Sequence, residues 1–231
     1  MDDKKNPRHC KNCMERLPMF NLLTDEQLDI INQTRCKVKF RPGEVIFKQG
    51  ATMTHVIVLT EGLAKLYIEG IDNRNLIIKF VRPLTLIGGP GFLSDYKHHF
   101  TTMALEDTSA CFVEVGAITE VLKLNQEFAL DMIRWGNIQT QLHFNKVIEL
   151  TQKGMHGRVA SALLYLSNEI YKNSERKIFI KRQDLSDMTA LSKESAIRIL
   201  KELKDENIIT VEGNYILINN VENLTQISIK G

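Results

Sequence analysis

The spacing of apolar residues changes twice along the chain and divides it into three parts. Between Cys36 and Val115, short apolar stretches alternate with polar residues and are broken by glycines, which is typical of antiparallel strands. From about Asn125 to Thr151, apolar residues recur at helical spacing without a proline. We therefore predict an α+β chain with an N-terminal antiparallel β-roll or jelly roll, a long helix and a C-terminal winged helix-turn-helix. These parts are expected over residues 1–124, 125–153 and 154–231.

The C-terminal part carries the most specific pattern. A first helix is predicted from Arg182 to Thr189, and a second begins after Ser192, a good N-cap residue. The second helix has one apolar stripe, formed by Ala196, Ile199, Leu200 and Leu203. Two apolar runs on either side of Gly213-Asn214 then indicate a hairpin, the expected wing.

The other face of the second helix has the chemistry needed to contact base edges. Arginine and lysine can bind guanine, and glutamate can accept a hydrogen bond from cytosine. The alternative is an ordinary pair of amphipathic helices with a solvated charged face. The predicted DNA-binding residues are Arg182, Ser192, Lys193, Glu194, Ile197, Arg198 and Lys201.

The long helix is predicted to pair with its copy in a second subunit, because one small β-domain cannot bury a helix over ~35 Å long. The alternative is that its apolar stripe packs on the β-domain. Gln139 and Lys146 fall at positions of the seam and make a coiled coil imperfect. The predicted dimer interface consists of Phe128, Met132, Trp135, Ile138, Gln139 and Leu142.

Composition narrows the class of protein. The formal net charge is only +2, but residues 172–204 hold nine lysines and arginines against five acids, around the proposed DNA-binding helix. No apolar run approaches the ~18 residues of a membrane span, and the polar N terminus lacks the apolar core of a secretory signal. A cytoplasmic protein is expected, in which the four cysteines are unlikely to form structural disulfides.

The order of elements resembles that of the CRP/FNR superfamily of bacterial transcription regulators. The resemblance covers essentially the whole chain and rests on Arg41-Pro-Gly-Glu-Val-Ile-Phe-Lys-Gln-Gly and Leu59-Thr-Glu-Gly, on His156-Gly-Arg-Val-Ala, and on Arg182-Gln-Asp-Leu with Ser192-Lys-Glu-Ser-Ala-Ile-Arg-Ile-Leu-Lys. It implies a cyclic-nucleotide-binding-type β-roll, a dimer helix and a winged helix. Double-stranded DNA, a second copy of the chain and RNA polymerase are the expected partners, with no membrane.

The resemblance also implies roles for single residues. Lys193, Glu194 and Arg198 match the family positions that read a half-site, and Arg182 matches an arginine that contacts the DNA backbone. Lys193 departs from the family's arginine, so its contact with guanine is expected to be less rigid. Ile197 stands where some members carry a serine, and its side chain could meet a thymine methyl group.

The resemblance places an effector pocket in the β-roll but does not favour cyclic AMP. The loop Gly88-Gly89-Pro90-Gly91 lacks the family's ribose-binding glutamate, and Thr101-Thr102 stands where an arginine would neutralise the cyclic phosphate. Lys97, His98 and His99 could bind another anion, although a surface loop without a ligand role is expected. The predicted effector pocket consists of Gly88, Gly89, Gly91, Thr101 and Thr102.

The cysteines support a rival hypothesis for the signal. Cys10 and Cys13 have metal-ligand spacing, and Cys111 matches the distal cluster ligand of the oxygen-sensing branch of the family. An iron-sulfur cluster or zinc at Cys10, Cys13 and Cys111 would need His9 or Cys36 as a fourth ligand. A thiol-disulfide sensor at Cys10 and Cys13, or cysteines without a signalling role, are the alternatives.

Two other classes of function are an enzyme and a ligand-binding protein that contacts other proteins. No Ser-His-Asp, HExxH, Walker or dinucleotide pattern gathers the histidines and acids of the β-domain, so an enzyme is not expected. A ligand-binding β-domain whose winged helix contacts proteins is the remaining alternative.

Overall fold

The computed structural model describes residues 16–172 and 177–231. Two compact units are distinguished: Met1–Ile68 with Phe80–Gln141, and Glu69–Lys79 with Leu142–Gly231. The boundary falls within the long helix, which therefore contributes to both units. The division into three parts at residues 124 and 153 stays a prediction.

Two four-stranded antiparallel sheets form the predicted β-roll, and the α+β fold class is confirmed. One sheet has the order β1-β8-β3-β6 and the other β2-β7-β4-β5. The strands are β1 (Cys36–Phe40), β2 (Val45–Phe47), β3 (His55–Glu61), β4 (Ala64–Glu69), β5 (Asn75–Val81), β6 (Thr85–Ile87), β7 (Thr101–Ala104) and β8 (Thr108–Glu114).

Helices α1 (Asp25–Thr34) and α2 (Val115–Leu124) pack beside the β1-β8-β3-β6 sheet, and a short 3₁₀ turn (Pro18–Leu22) precedes them. Thr24 begins α1 with a capping box, in which its side chain accepts from the Gln27 backbone and the Gln27 side chain accepts from the Thr24 backbone. The core here is apolar and includes Phe20, Ile31 and Phe128.

Helix α3 (Gln126–Gln152) is continuous over 27 residues, roughly 40 Å at 1.5 Å per residue. Its start is fixed by Asn125, whose side-chain oxygen accepts from the backbone N–H of Phe128 at 2.9 Å. The side-chain nitrogen of Asn125 donates to the carbonyl oxygen of Leu22 at 2.8 Å. The predicted long helix is thus present with nearly the predicted bounds.

The C-terminal part is a winged helix-turn-helix, as predicted. Its elements are α4 (Met155–Tyr165), β9 (Lys177–Ile178), α5 (Arg182–Thr189), α6 (Lys193–Asp205), β10 (Ile209–Glu212), β11 (Tyr215–Ile218) and α7 (Val221–Lys230). A π-helical turn (Leu166–Tyr171) continues α4, and the wing sheet has the order β10-β11-β9. Strand β9 and helix α7 were not predicted from the sequence.

The break after the long helix is shorter than predicted. The glycines at 154 and 157 predict a hinge between them and a further helix from Arg158 to Tyr171, but α4 already begins at Met155. Gly157 lies inside α4, where a Cβ atom would come within 2.4 Å of the carbonyl oxygen of Gly231. Its lack of a side chain therefore serves the packing of α4 against the end of α7. No helix of residues 16–172 and 177–231 is both long enough and apolar enough to span a bilayer.

Candidate functional site

Helix α6 presents two contrasting faces. The predicted stripe is buried, with Ala196 and Ile199 fully inaccessible, and it packs α6 against the rest of its unit. Ser192 caps the helix, because its hydroxyl oxygen accepts from the backbone N–H of Ser195 at 3.1 Å. The remaining face carries mainly polar and charged side chains and is open to solvent.

Five predicted base-contacting residues lie together on that open face: Lys193, Glu194, Ile197, Arg198 and Lys201. The pKa of Glu194 is lowered, first because its own backbone N–H donates to the carboxylate and next because the Ser192 hydroxyl does. Glu194 therefore stays ionised and can act as a hydrogen-bond acceptor. The hydroxyl of Ser192 is exposed but already serves the helix cap.

Helix α5 packs against α6, and its Leu185 and Met188 are buried. The turn between the helices passes through Ala190, which has a left-handed conformation with φ of 52°, and the backbone N–H of Leu191 donates to the carbonyl oxygen of Ser186. Arg182 begins α5 and is half-buried, and this burial lowers its pKa. Arg182 thus lies on a different helix from the other charged residues of the predicted set.

A side-chain network on α6 was not predicted. Nη1 of Arg198 lies 3.2 Å from Oε1 of Glu202, and Nε2 of His156 lies 2.5 Å from Oε2 of the same carboxylate. The hydrogen bond from His156, followed by the positive charge of Arg198, lowers the pKa of Glu202. Spacing of i, i+4 could have revealed the Arg198–Glu202 pair, but His156 is distant in sequence.

The predicted effector residues do not all line one cavity. Gly88 and Gly89 line an apolar cavity of about 380 Å³, together with residues such as Phe92, Met132 and Trp135. Thr101 and Thr102 do not line that cavity and are buried on β7. A Cβ atom on Gly91 would lie 1.9 Å from the carbonyl oxygen of Lys97, so the small size of this residue serves the packing of the loop.

The loop before β7 differs from the expected surface loop. His98 is only 5% exposed, and its ring stacks on Phe47 with centroids 3.9 Å apart. Burial lowers the pKa of His98, which favours the neutral imidazole. Phe47 pairs with Thr102 across β2 and β7. Nδ1 of His98 and the hydroxyl oxygen of Thr102 are buried without a hydrogen-bond partner among the described residues. For His98, the prediction of a surface position is wrong.

Of the proposed metal ligands, Cys10, Cys13 and His9 lie outside the described residues. Cys111 is buried on β8, and Nη1 of Arg35 lies 3.3 Å from its Sγ. Cys36 pairs with Phe112, the neighbour of Cys111, so the two thiols point to opposite faces of the sheet. Cys36 is therefore unsuited to complete a site with Cys111. Within the described residues, no three His, Cys, Asp or Glu side chains are grouped as a metal site.

The predicted dimer interface on α3 needs correction. Phe128 is fully buried in the core of the N-terminal unit, and Met132 and Trp135 pack against the same core. Phe128 therefore packs within its own chain, as the alternative had it, whereas an interface role for the partly buried Met132 and Trp135 stays a prediction. Gln139 is half-buried, and Ile138 and Leu142 are exposed. Lys146, expected at the seam, is buried and donates to the carbonyl oxygen of Met188 at 2.8 Å.

A different face of α3 is apolar and open. Leu130, Ile133, Phe144 and Val147 are between 53% and 63% exposed. With Asn137 and Thr140 between the two pairs, the spacings alternate between three and four residues, which is the pattern of a coiled-coil seam. The seam face of α3 consists of Leu130, Ile133, Asn137, Thr140, Phe144, Val147 and Thr151. Sequence periodicity missed it because α3 carries apolar residues on two faces.

Comparison with known proteins identifies both parts of the chain. Residues 37–125 match the family model described as a cyclic nucleotide-binding domain, and residues 157–227 match that of a Crp-like helix-turn-helix domain. The chain is 22% identical to an anaerobic regulatory protein of Aggregatibacter actinomycetemcomitans, over 95% of this chain and 88% of the relative. It is 23% identical to the fumarate and nitrate reduction regulatory protein of Yersinia pestis, over 95% of this chain and 90% of the relative.

Solved structures agree on the fold. FixK2 from Bradyrhizobium japonicum superposes with a TM-score of 0.75 at 20% identity, covering 84% of this chain and 96% of that one. A regulator of the CRP/FNR family from Eubacterium rectale gives a TM-score of 0.79 at 16% identity, covering 93% of this chain and 99% of that one. With a β-roll, a long helix and a winged helix in this order, and with both domains matched, the chain belongs to the CRP/FNR family of transcription regulators.

Proposed function

We propose that this protein is a sequence-specific DNA-binding transcription regulator that acts as a homodimer on a palindromic site. The observation that carries the proposal is the open face of α6, where Lys193, Glu194 and Arg198 project opposite a fully buried stripe. Side chains in this part of a recognition helix reach base edges in the major groove. A winged helix that contacts only proteins would not need donors and acceptors matched to bases.

Replacing Arg198 or Glu194 with alanine is expected to weaken binding to the preferred site by roughly 1 to 3 kcal/mol and to relax base choice at one position of each half-site. The measurement is selection of duplexes from a random pool by the wild-type protein, followed by affinity titrations with single-base variants. Arg182→Ala is the matched control. Loss of a contact with the DNA backbone weakens binding to all sequences about equally and makes the salt dependence of binding shallower. Unchanged base preference in both α6 variants would refute the assignment of this face.

The proposed dimer forms along the seam face of α3. Its four large apolar side chains are more than half exposed, whereas Phe128, Met132 and Trp135 of the other stripe already pack in or against the core. The hydroxyl groups of Thr140 and Thr151 donate within the helix, to the carbonyl oxygens of Gly136 and Val147. Their hydroxyls are thus satisfied before a second helix covers them. Two copies paired in this way would present two α6 helices to successive major grooves, about 34 Å apart.

Phe144→Glu is expected to dissociate the dimer, because the carboxylate would have to be buried unpaired against the second copy. We expect the dimer dissociation constant to rise by more than about 100-fold, a cost of about 3 kcal/mol or more. Sedimentation velocity over a dilution series measures this change. Leu142→Glu, an exposed position of the same helix outside the seam face, is the control and should leave the dimer intact. A dimer that withstands Phe144→Glu but not Leu142→Glu would exclude the seam.

We further propose that the signal reaches the β-roll and is not cyclic AMP. A cyclic phosphate needs a cation when it is buried, but neutral Thr101 and Thr102 occupy the strand positions where the family places it. Two kinds of signal fit this proposal: a ligand of the β-roll, or a change at the cysteines; relatives of this chain are named anaerobic regulatory proteins. RNA polymerase is the further partner that we propose, since regulators of transcription act on it.

A further inference from the structure

The carboxylate of Glu202 joins side chains from two helices. Its Oε1 lies 3.2 Å from Nη1 of Arg198 within α6, and its Oε2 lies 2.5 Å from Nε2 of His156, in the first turn of α4. The side chains of Arg198, Glu202 and His156 are 54%, 40% and 44% exposed. Arginine, carboxylate and histidine thus form one chain of contacts at the edge of the open face.

The contact leaves Arg198 able to bind a base. A guanidinium has five N–H donors, and a bidentate contact with guanine O6 and N7 uses two of them. Glu202 engages Nη1 with one oxygen only, so the contact is single and not a fork-to-fork pair. Glu202 can therefore hold the long side chain in one direction while other N–H groups point to the DNA.

The anchor on the other side, His156, belongs to a packed helix. His156 stands beside Gly157, whose backbone is packed against Gly231 at the end of α7, and α4 packs against α5, α6 and α7. Since each carboxylate oxygen of Glu202 has its own partner, His156 and Arg198 do not compete for it. Ionisation of Glu202 is favoured, because the hydrogen bond from His156 lowers its pKa.

We infer that Glu202 and His156 are positioning residues that orient Arg198 before DNA arrives and thereby set specificity at one base pair of each half-site. The inference rests on the proposed function, in which Arg198 contacts a base. A long arginine side chain loses rotamer freedom when it binds, and a partner that holds it beforehand reduces that loss. Second contacts of this kind fix the geometry of the residue that touches the ligand.

A purely structural role would leave a different signature. If the network only stabilised the fold, loss of Glu202 would lower all DNA affinities in parallel, with or without Arg198. If Glu202 positions Arg198, its loss affects only the base pair that Arg198 reads. Removing a carboxylate near the DNA also removes repulsion from the phosphates, so the affinity for random sequence should not fall.

The experiment uses the full chain and the duplex selected by the wild-type protein from a random pool. Affinities for this duplex and its single-base variants are measured for wild type, Glu202→Ala, Arg198→Ala and the double variant. We expect Glu202→Ala to lower discrimination about 5-fold at the base pair where Arg198→Ala acts, and to have no further effect in the Arg198→Ala background. His156→Ala should act in the same direction, whereas His156→Gln, which can still donate to Glu202, should retain most of the discrimination.

Equal losses from Glu202→Ala in the two backgrounds would overturn the inference and leave Arg198 as a base-reading residue. If Arg198→Ala itself causes no position-specific loss, the proposed function of Arg198 fails, and the inference fails with it. Thermal unfolding of each variant checks folding. If Glu202→Ala does not fold, Glu202→Gln takes its place, because the amide keeps the shape of the side chain but not its charge. Unchanged base discrimination at the Arg198 position in Glu202→Gln would also contradict positioning by the ionised carboxylate.

Discussion

Replacing Phe128 with alanine is expected to lower the unfolding free energy of the N-terminal unit by about 3–5 kcal/mol. The side chain is fully buried, and its ring contacts that of Phe20 with centroids 5.9 Å apart. Alanine would leave a cavity in the apolar cluster that Phe128 shares with residues of α1 and α2. Trp135, the single tryptophan of the chain, packs against the same core and reports its unfolding by fluorescence in urea.

The matched control for Phe128→Ala is Leu142→Ala, on the same helix but 51% exposed. Its expected effect is within about 0.5 kcal/mol, as for ordinary surface substitutions. The loss in Phe128→Ala should also be independent of protein concentration, because the residue belongs to a core within one chain. A loss that disappears at high concentration would instead place Phe128 in the dimer interface and restore the interpretation that the sequence suggested.

Lys146→Met is expected to destabilise the DNA-binding unit by about 2–4 kcal/mol, because removal of one partner leaves a nearly buried carboxylate and a helix-end carbonyl without compensation. The ammonium group lies 2.8 Å from the carbonyl oxygen of Met188 and 3.0 Å from Oε2 of Glu149. The Lys146 and Glu149 side chains are 10% and 19% exposed. Met188 is in the last turn of α5, where cations stabilise the carbonyl end of a helix.

Hydrogen exchange measured by mass spectrometry over α5 and α6 is the readout for Lys146→Met. Lys204→Met, an exposed lysine on α6, is the control and should leave protection unchanged. The double variant Lys146→Met with Glu149→Gln should recover part of the loss, since it no longer leaves a charged carboxylate behind. If the double variant is no better than Lys146→Met, the ion pair is not the source of the stability.

The sequence was sufficient for the helix-turn-helix because each of its signals was local. Ser192 marks the start of a helix whose apolar residues recur at regular helical spacing. Because these residues form one buried stripe, the charged residues occupy the other face. The same reasoning was incomplete for α3, where one helix serves two partners. Phe128 packs in its own core and Phe144 does not, yet both are aromatic residues on an amphipathic helix. Only the placement of the β-domain separates the two faces.

Other positions depended on contacts far along the chain. His98 stands in a polar stretch that is typical of a surface loop, but Phe47 from β2 covers its ring. Lys146 was expected to disturb the seam because nothing in its neighbourhood indicates Met188 as a partner. The network of His156 with Glu202 is likewise a tertiary contact. Helix α7 had a local signal, since Asn220 caps it by accepting from the backbone of Asn223, and it could have been predicted.

The single amide side chain on the seam face affects which chains can pair with this one. Asn137 lies between Ile133 and Thr140 on the seam face, at a position where coiled coils otherwise bury apolar side chains. Two such amides can satisfy each other only when identical helices lie side by side at the same level, whereas an aliphatic residue opposite would leave an amide without a partner. In the proposed homodimer, Asn137 would thereby disfavour pairing with the subunit of a related regulator made in the same cell.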